Sequence, residues 1–200
     1  MMGIVAGIGT VRSDDPMLNC RLTSQQPTAN SQQPLIHQPI RIILDTKASI
    51  SLDSQIVRTA KEYRTILAVG SQLAADSDLE MLKSHGVEIL PCDEKDGHVN
   101  INDLMMKLGE IGIDSLLLEG GSTLNAAFLE AGCVDEVYAF IAPKIIGGEQ
   151  SKSPIGGKGI ELMKDAILLK DIKVEQIEND ILIKGRRDVL NTSEEVVKRD

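Results

Sequence analysis

The sequence predicts an α/β domain whose sheet is mostly parallel and flanked by helices on both faces. Short runs rich in Ile, Leu and Val alternate with segments whose apolar residues recur at helical spacing. Mostly apolar runs are typical of strands that are buried on both faces of a parallel sheet. The 200 residues, 42% of them hydrophobic, suit a single folded domain. We predict one domain over residues 1–187 and a polar tail over residues 188–200.

Six apolar runs predict strands, and two further runs predict a terminal hairpin. The six are residues 3–7, 41–45, 65–69, 87–91, 115–118 and 136–142. The hairpin is predicted over 167–177 and 181–184, because the polar residues 178–180 between them are typical of a turn. It is expected to add antiparallel character at one edge of the sheet.

Three segments predict helices, each followed by a glycine that can cap the helix end. One helix carries Leu79 and Leu82 before Gly86; another carries Leu104, Met105, Leu108 and Ile111 before Gly112; the third spans residues 122–131 before Gly132. Asn100 or Asn102 is placed to cap the second helix. Residues 8–39 are predicted to be irregular, with an exposed and mobile part over residues 24–39, which is rich in Gln, Ser and Pro.

Composition excludes several classes of function. The formal charge of −9 and the pI of about 4.9 argue against a general nucleic-acid binder. No apolar run approaches the roughly 20 residues of a membrane helix, and residues 1–7 lack the basic region of a signal peptide. Cys20, Cys92 and Cys133 form no CxxC pair, so we expect reduced thiols and a cytoplasmic protein. The three histidines are scattered, so no metal site is predicted.

The clearest functional signal is the sequence LLLEGGSTL at residues 116–124. An apolar strand runs through two glycines into a helix, which leaves unpaired N–H groups at a positive helix end. Ser122 or Thr123 can cap the helix or donate a hydroxyl. From spacing alone, phosphate binding and an ordinary strand-to-helix turn fit equally well. Glu119 lies where α/β sheets place ligands, although an acid that favours the helix dipole fits equally well.

Two other glycine-containing segments are weaker signals. The sequence GIGTVRSDDP at residues 7–16 starts like a dinucleotide fingerprint, but Arg12 replaces the third glycine and SDDP stops helices. We therefore reject a Rossmann motif. Two interpretations remain. The segment is either a loop at a strand end that contributes Thr10, Asp14 and Arg21 to a site, or a solvated loop. The Gly-rich residues 142–159 can close over a ligand, but a plain connection is favoured.

Three blocks together carry a family resemblance. GIGTVRSDDPMLNCR, QPIRIILDT and LLLEGGSTLNAAFLEAGCVDEVYAFIAPKIIGG occur in family order. They resemble the reductase domain of the riboflavin-pathway bifunctional deaminase/reductase, and the likeness spans residues 3–186. That family is similar in fold to dihydrofolate reductase. The resemblance implies a dihydrofolate-reductase-like fold and association into a homodimer. It also implies NADPH-dependent reduction of 5-amino-6-(5-phosphoribosylamino)uracil, through an opened imine, to the ribitylamino product.

The resemblance implies the residues that bind the cofactor. Thr10 and Asp14 would contact NADPH, and Thr46 would lie beside it. Adjacent Lys47 is a further hypothesis for the 2′-phosphate. The pyrophosphate would be held by Gly121, Ser122, Thr123, Leu124, Asn125, Ala126 and Ala127.

The resemblance also implies the residues that bind the substrate. Leu18 and Arg21 would face it, with the planar guanidinium of Arg21 on its phosphate. Glu119 would contact the substrate as well. Proton donation from Glu119 to the imine nitrogen is a hypothesis, because a protonated imine accepts hydride more readily.

The sequence departs from this family in two ways. It has no H-x-E with a following P-C-x-x-C, so zinc-dependent deaminase chemistry is not expected. The family's opening strand, with its lysine and S-L-D-G turn, and the helix after it are not found ahead of residue 1. We expect an exposed pairing edge, an incomplete pocket and weak or no activity for this chain alone.

Two alternatives remain open. The first is a catalytically weak or dead nucleotide-binding module of the same fold, which the unmatched lysine favours. The second is another reductase of this fold with a different small substrate. Arg21 together with Glu119 favours the phosphorylated pyrimidine over that second alternative.

Overall fold

A computed structural model of the chain describes residues 1–21, 37–73, 78–148, 151 and 153–188. The strands in these residues are β1 Gly3–Gly7, β2 Ile40–Leu44, β3 Thr65–Gly70, β4 Val87–Cys92, β5 Glu94–Lys95, β6 His98–Val99, β7 Leu116–Leu118, β8 Glu136–Ile141, β9 Leu169–Ile177 and β10 Asp180–Arg187. The α-helices are α1 Ile8–Asp14, α2 Gln55–Arg58, α3 Asp78–Ser84, α4 Ile101–Glu110 and α5 Ser122–Glu130. Short 3₁₀ turns occupy Ser71–Leu73 and Met163–Asp165.

Five strands form a parallel sheet in the order β4-β3-β2-β1-β7. Alternate side chains along the strands face two separate apolar cores. Ile43 and Leu67 pack with α1, α2 and α3 on one face. Ile42 and Ile66 pack with α4 and α5 on the other. The predicted α/β class with a mostly parallel, two-sided sheet is confirmed, and the carboxyl ends of β1, β2, β3 and β7 share one edge.

The terminal hairpin is confirmed, but it does not extend the parallel sheet. β9 and β10 join β8 in a separate antiparallel sheet of order β8-β10-β9. In the part of the chain that the structure describes, β7 pairs with β1 alone and β8 with β10 alone. Each of these two strands therefore has one side whose main-chain groups lack a strand partner among the described residues.

Residues 8–14 differ from the prediction. They form the helix α1 rather than an irregular loop, because the chain continues directly from β1 into helical backbone with Gly7 as N-cap. The SDDP sequence does stop the helix, as expected: Asp15 is left-handed, with φ 39°, and Pro16 follows. Of the stretch predicted to be mobile, residues 24–36 lie outside the described residues, as do residues 189–200 of the predicted tail.

The short helix α2 and the two short strands β5 and β6 were not predicted. α2 is a single turn whose N-cap, Ser54, accepts a hydrogen bond from the Val57 N–H. β5 and β6 form a two-residue ladder around Asp96 and Gly97. No helix in the described residues is long and apolar enough to cross a membrane.

Candidate active site

A cavity of about 1010 Å³ opens at the carboxyl ends of β1 and β7. Its walls are α1, the loop that follows α1, and the turn between β7 and α5. The lining residues are Ile4, Gly7, Gly9, Thr10, Ser13, Asp14, Pro16, Leu18, Asn19, Arg21, Glu119, Gly120, Gly121, Ser122, Thr123 and Leu124. This position is where open α/β sheets bind ligands.

The glycine turn, residues 119–123, comprises the turn between β7 and α5 and the first two residues of α5, and it presents main-chain donors. The Glu119 N–H donates to the Val5 carbonyl at 3.0 Å, which ties the turn to β1. The next four N–H groups, of residues 120–123, have no hydrogen-bond acceptor among the described residues. They precede and begin a helix of nine residues, whose N-terminus carries partial positive charge. The turn therefore offers a ready site for an anion.

The predicted capping of α5 by Ser122 or Thr123 is wrong. The N-cap is Gly121, with φ −67° and ψ 166°, and no side chain among the described residues caps the helix. Ser122 and Thr123 are instead the first two residues of the helix. Because no hydroxyl takes up the first N–H groups, these donors stay available to a ligand.

The two glycines of this turn serve different purposes. A Cβ on Gly120 would lie 2.7 Å from Leu124 Cδ2 and 3.0 Å from Leu124 Cβ, so the helix leaves no room for a side chain there. A Cβ on Gly121 would meet nothing closer than Thr10 Oγ1, at 4.0 Å. Gly120 thus permits close packing, whereas Gly121 keeps space open on the cavity side.

α1 forms the wall opposite the glycine turn. Thr10 and Asp14 are four residues apart on this helix, which places them on one side of it, and both line the cavity. The Asp14 residue is exposed. The structure therefore brings two of the predicted cofactor residues to the glycine turn.

The loop after α1 forms the third wall. Leu18 is buried and adopts a left-handed backbone with φ 47°. Arg21 is exposed, and its guanidinium makes no ion pair or hydrogen bond with the described residues. Asn19 was not predicted, although it lies between the two; its buried Oδ1 has no hydrogen-bond partner among the described residues. The loop thus offers an apolar contact, an amide oxygen and a cation to one cavity.

Glu119 lines the same cavity as the glycine turn and the loop after α1. It follows β7 directly, is exposed, and lies next to the glycine turn. Within the described structure, no donor hydrogen-bonds to its carboxylate. An acid in this position can exchange a proton with a ligand that bridges the glycine turn and the loop after α1.

Some predicted cofactor residues do not line this cavity. The Thr46 hydroxyl accepts a hydrogen bond from the Val99 N–H at 3.1 Å, and Lys47 is exposed beside it at the same sheet edge. Ala126 is buried, while the Asn125 amide donates to the Pro154 carbonyl at 2.9 Å. Together with Ala127, these residues keep their cofactor roles as predictions.

The Gly-rich segment packs on the start of α5. The Gly156 N–H donates to the Ser122 carbonyl at 2.9 Å. A Cβ on Gly157 would lie 2.9 Å from that of Ala126. This segment therefore covers the outer side of the helix whose N-terminus faces the cavity.

The sequence is similar to one protein family over most of its length. The RibD C-terminal domain model matches residues 1–183. The riboflavin biosynthesis protein RibD of Actinobacillus pleuropneumoniae is 44% identical over 180 residues, which cover 90% of this chain and 44% of that protein. The 2,5-diamino-6-ribosylamino-4(3H)-pyrimidinone 5′-phosphate reductase of Methanothermobacter thermautotrophicus is 32% identical over 180 residues, 90% of this chain and 77% of that protein.

Solved structures agree on the fold. Acinetobacter baumannii RibD superposes with a TM-score of 0.73 at 24% identity, over 93% of this chain and 47% of that one. A Thermotoga maritima diaminohydroxyphosphoribosylaminopyrimidine deaminase/5-amino-6-(5-phosphoribosylamino)uracil reductase gives 0.68 at 26% identity, over 93% and 45%. The chain spans less than half the length of the RibD proteins it matches. It belongs to the RibD C-terminal domain family.

Proposed function

We propose that this chain is an NADPH-dependent reductase of 5-amino-6-(5-phosphoribosylamino)uracil in riboflavin biosynthesis. One observation carries the proposal: a carboxylate, four N–H groups and a guanidinium line one cavity, and the N–H groups and the guanidinium have no hydrogen-bond partner among the described residues. Such a cavity suits two anionic ligands that meet at an acid. The relatives' names, RibD and pyrimidinone phosphate reductase, support the same activity.

The residues present fit the diphosphate of a nicotinamide dinucleotide. Free N–H groups at a helix start bind phosphate oxygens, and the missing side chain of Gly121 leaves room for them. Thr10 can donate its hydroxyl from the opposite wall. Thr46 and Lys47 lie at the same sheet edge, where Lys47 would select NADPH by its 2′-phosphate. When bound, the nicotinamide supplies the hydride.

The residues of the loop after α1 fit a phosphorylated pyrimidine riboside. Arg21 binds the phosphate through a planar guanidinium, which can donate two parallel hydrogen bonds. Leu18 packs against an apolar part of the substrate. The Oδ1 of Asn19, which has no hydrogen-bond partner among the described residues, accepts a hydrogen bond from an N–H or O–H of the substrate.

Glu119 assists the reduction as an acid. The opened ribosyl group is an imine, C1′=N, which gains a hydride at C1′ and a proton at nitrogen to become a secondary amine. Glu119 delivers the proton to nitrogen, and the resulting carboxylate is reprotonated from solvent because the residue is exposed. The cavity walls hold the reacting groups together.

Two relatives' names indicate a second candidate substrate. The archaeal relative and one from Aquifex aeolicus, 33% identical over 168 residues, are named for the 2,5-diaminopyrimidinone phosphate. That compound has an amino group at ring position 2, where the uracil has a carbonyl, and both have a carbonyl at position 4. It would use the same Arg21 and Glu119, so it is tested beside the uracil.

Turnover separates the proposed reductase from a binding module that has lost activity. NADPH is first titrated into the protein while its fluorescence is followed, and each phosphorylated pyrimidine is then added. Loss of NADPH absorbance, with the ribitylamino product identified by mass spectrometry, supports the reductase. Saturable NADPH binding without turnover of either substrate favours the binding module, and no binding of NADPH contradicts both.

We also infer a homodimer, formed through one face of the antiparallel sheet. Ile181 pairs with Ile141, and Ile183 with Ala139 and Val174, so these five side chains share a face. Ile141, Val174 and Ile181 are 50%, 65% and 44% exposed, which makes a patch of the kind that binds another protein. Sedimentation should give a dimer for the wild type and a monomer for Val174→Asp; a monomeric wild type contradicts this.

The unpaired Cys20, Cys92 and Cys133 support a cytoplasmic location.

A further inference from the structure

We propose that Gln38 is a positioning residue for Arg21. This inference rests on the proposed function, because it assumes that Arg21 binds the phosphate of the substrate. Gln38 lies outside the cavity and precedes β2. Its role follows from how its side chain holds the main chain next to Arg21.

The Gln38 side chain pairs with both main-chain groups of Cys20. The Cys20 N–H donates to Gln38 Oε1 at 2.9 Å. Gln38 Nε2 donates to the Cys20 carbonyl at 3.2 Å. An amide side chain that accepts from and donates to one residue acts like a neighbouring strand, so it fixes the orientation of that residue.

This pairing sets the direction from which the Arg21 side chain leaves the chain. The Cys20 carbonyl and the Arg21 N–H belong to one planar peptide group. A hydrogen bond to that carbonyl therefore holds the plane that leads to the Arg21 Cα. Arg21 makes no hydrogen bond of its own with the described residues. The hydrogen-bonded Cys20–Arg21 peptide is therefore the nearest group that restrains the position of Arg21.

Two other elements, α2 and β2, hold the rest of the loop. The main-chain N–H of Gln55 donates to the Asp15 carboxylate at 2.8 Å. Arg41, fully buried on β2, donates to the Met17 carbonyl at 3.3 Å. Gln38 is the third support, and among the described residues it is the one that reaches the Arg21 end.

Arg41 cannot replace Gln38 in this role. Its guanidinium also donates to Thr59 Oγ1, Thr65 Oγ1 and the carbonyls of Ile56 and Tyr63. These hydrogen bonds hold the guanidinium inside the core, away from the Cys20 peptide. Burial lowers its pKa to about 10, which leaves it cationic near neutral pH. Its loss would disturb the core, whereas Gln38 is exposed and can be replaced without leaving a cavity.

Guanidinium–phosphate bonding depends on direction, because both hydrogen bonds must lie in the guanidinium plane. A loosened Cys20 peptide therefore weakens phosphate binding while Leu18 and the cofactor side of the cavity stay as they are. The expected signature is a loss of affinity for the phosphorylated substrate alone.

The test measures dissociation constants by calorimetry for the phosphorylated ribosylaminouracil, its dephosphorylated form and NADPH. Gln38→Met should weaken binding of the phosphorylated compound about tenfold, as expected when two hydrogen bonds are lost. Binding of the other two ligands should change by less than about twofold. Gln176→Met is the matched control: Gln176 also donates to a main-chain carbonyl, that of Glu178, but on β9. It should bind all three like the wild type.

A double-mutant cycle separates positioning from a general structural effect. In an Arg21→Ala background, Gln38→Met should change the phosphorylated-substrate affinity by less than about twofold, because no guanidinium remains to be positioned. Hydrogen exchange of the Cys20 amide should be faster in Gln38→Met than in the wild type.

The outcomes are distinct from a failure of the proposed function. Equal loss of affinity for phosphorylated and dephosphorylated compounds, or full additivity with Arg21→Ala, overturns the role of Gln38 while the reductase proposal stands. Unchanged phosphorylated-substrate affinity in Gln38→Met does the same. A wild type that does not discriminate between the two compounds contradicts the phosphate role of Arg21 and, with it, the positioning role of Gln38, whereas turnover of the substrate decides the reductase proposal.

Discussion

Gly121 faces Thr10 across the cavity: a Cβ placed on Gly121 would lie 4.0 Å from Thr10 Oγ1 and would meet no nearer atom. The glycine turn and α1 therefore approach each other without filling the space between them. The proposed binding of a diphosphate depends on that space and on the N–H groups of residues 120–123, which have no acceptor in the part of the chain that the structure describes.

Gly121→Ala should weaken NADPH binding while the fold is retained. The backbone of Gly121 is extended, with negative φ, so alanine adopts it without strain. The added methyl group occupies the side of the turn that faces Thr10. We expect the NADPH dissociation constant to rise about tenfold, or roughly 1.4 kcal/mol, by fluorescence titration.

Two glycine-to-alanine variants serve as controls for that experiment. Gly109 is an exposed residue of α4 with nothing near its Cβ, so Gly109→Ala should leave NADPH binding unchanged and stabilise the protein by about 0.5–1 kcal/mol. Gly120→Ala meets Leu124 and should destabilise the fold by about 1–3 kcal/mol. NADPH binding by Gly121→Ala at wild-type affinity would contradict the proposed position of the diphosphate.

Glu119→Gln should slow turnover and change its dependence on pH. The amide keeps the size and hydrogen-bonding capacity of the side chain but cannot donate a proton as an acid does. We expect kcat to fall about 10²- to 10⁴-fold, the usual contribution of a general acid, and the limb of the pH profile that reports this acid to disappear. Full turnover with an unchanged pH profile would show that Glu119 does not donate the proton. NADPH affinity is the control and should stay constant.

The open side of β7 predicts that an added strand raises activity. In the described structure β7 pairs with β1 alone, and Leu117 on this strand is 38% exposed. Glu119 follows directly, so a neighbouring strand would also fix the acid. We predict at least about tenfold faster NADPH oxidation when an apolar strand that can pair with this side of β7 is fused ahead of residue 1 than when it is absent.

The control for the added strand is a Gly/Ser segment of equal length in the same place. It adds chain but offers little to pack against β7. Equal turnover in the strand-extended protein and in residues 1–200 alone would refute the prediction.

Cys92 predicts a loss of stability at high pH. Burial raises the pKa of this thiol from 9.0 to about 11. The unfolded chain therefore ionises the thiol near pH 9, whereas the folded chain does so near pH 11. The protonated thiol therefore contributes its full share to the free energy of unfolding below pH 9. As the pH rises from 9 to 11, that free energy falls by about 1–2 kcal/mol.

The measurement for Cys92 is the free energy of unfolding by denaturant between pH 8 and pH 11. Cys92→Ala should start lower, because it leaves a small cavity, and should decline less steeply with pH. Cys133→Ala is the comparison, since Cys133 is half-buried. Parallel pH profiles for the wild type and Cys92→Ala would contradict the assignment.

Strands were easier to predict than helices in this fold. β1, β2 and β3 are mostly apolar because each is covered on both faces, and this pattern is visible in the sequence. α1 has seven residues and a single buried one, Val11, so it carries no helical periodicity to detect. The separation of the hairpin from the parallel sheet depends on strand order, which local pattern does not contain.

The candidate site could be predicted as motifs but not as an arrangement. Residues 7–21 and 119–124 are about a hundred positions apart, and parallel pairing of β1 with β7 brings them together. Asn19 lacks a periodic or spacing signal of its own, and its significance comes from a buried oxygen that has no hydrogen-bond partner in the described structure. Gln38 could not be found from the sequence at all, because its contact with Cys20 requires the folded chain.

A crystal structure of the protein with bound NADPH tests the central claim most directly. We predict that oxygens of the diphosphate lie within hydrogen-bond distance of the main-chain nitrogens of Gly121, Ser122 and Thr123. A dinucleotide whose diphosphate lies elsewhere, with those nitrogens bonded to water or to the protein's own side chains, would contradict it.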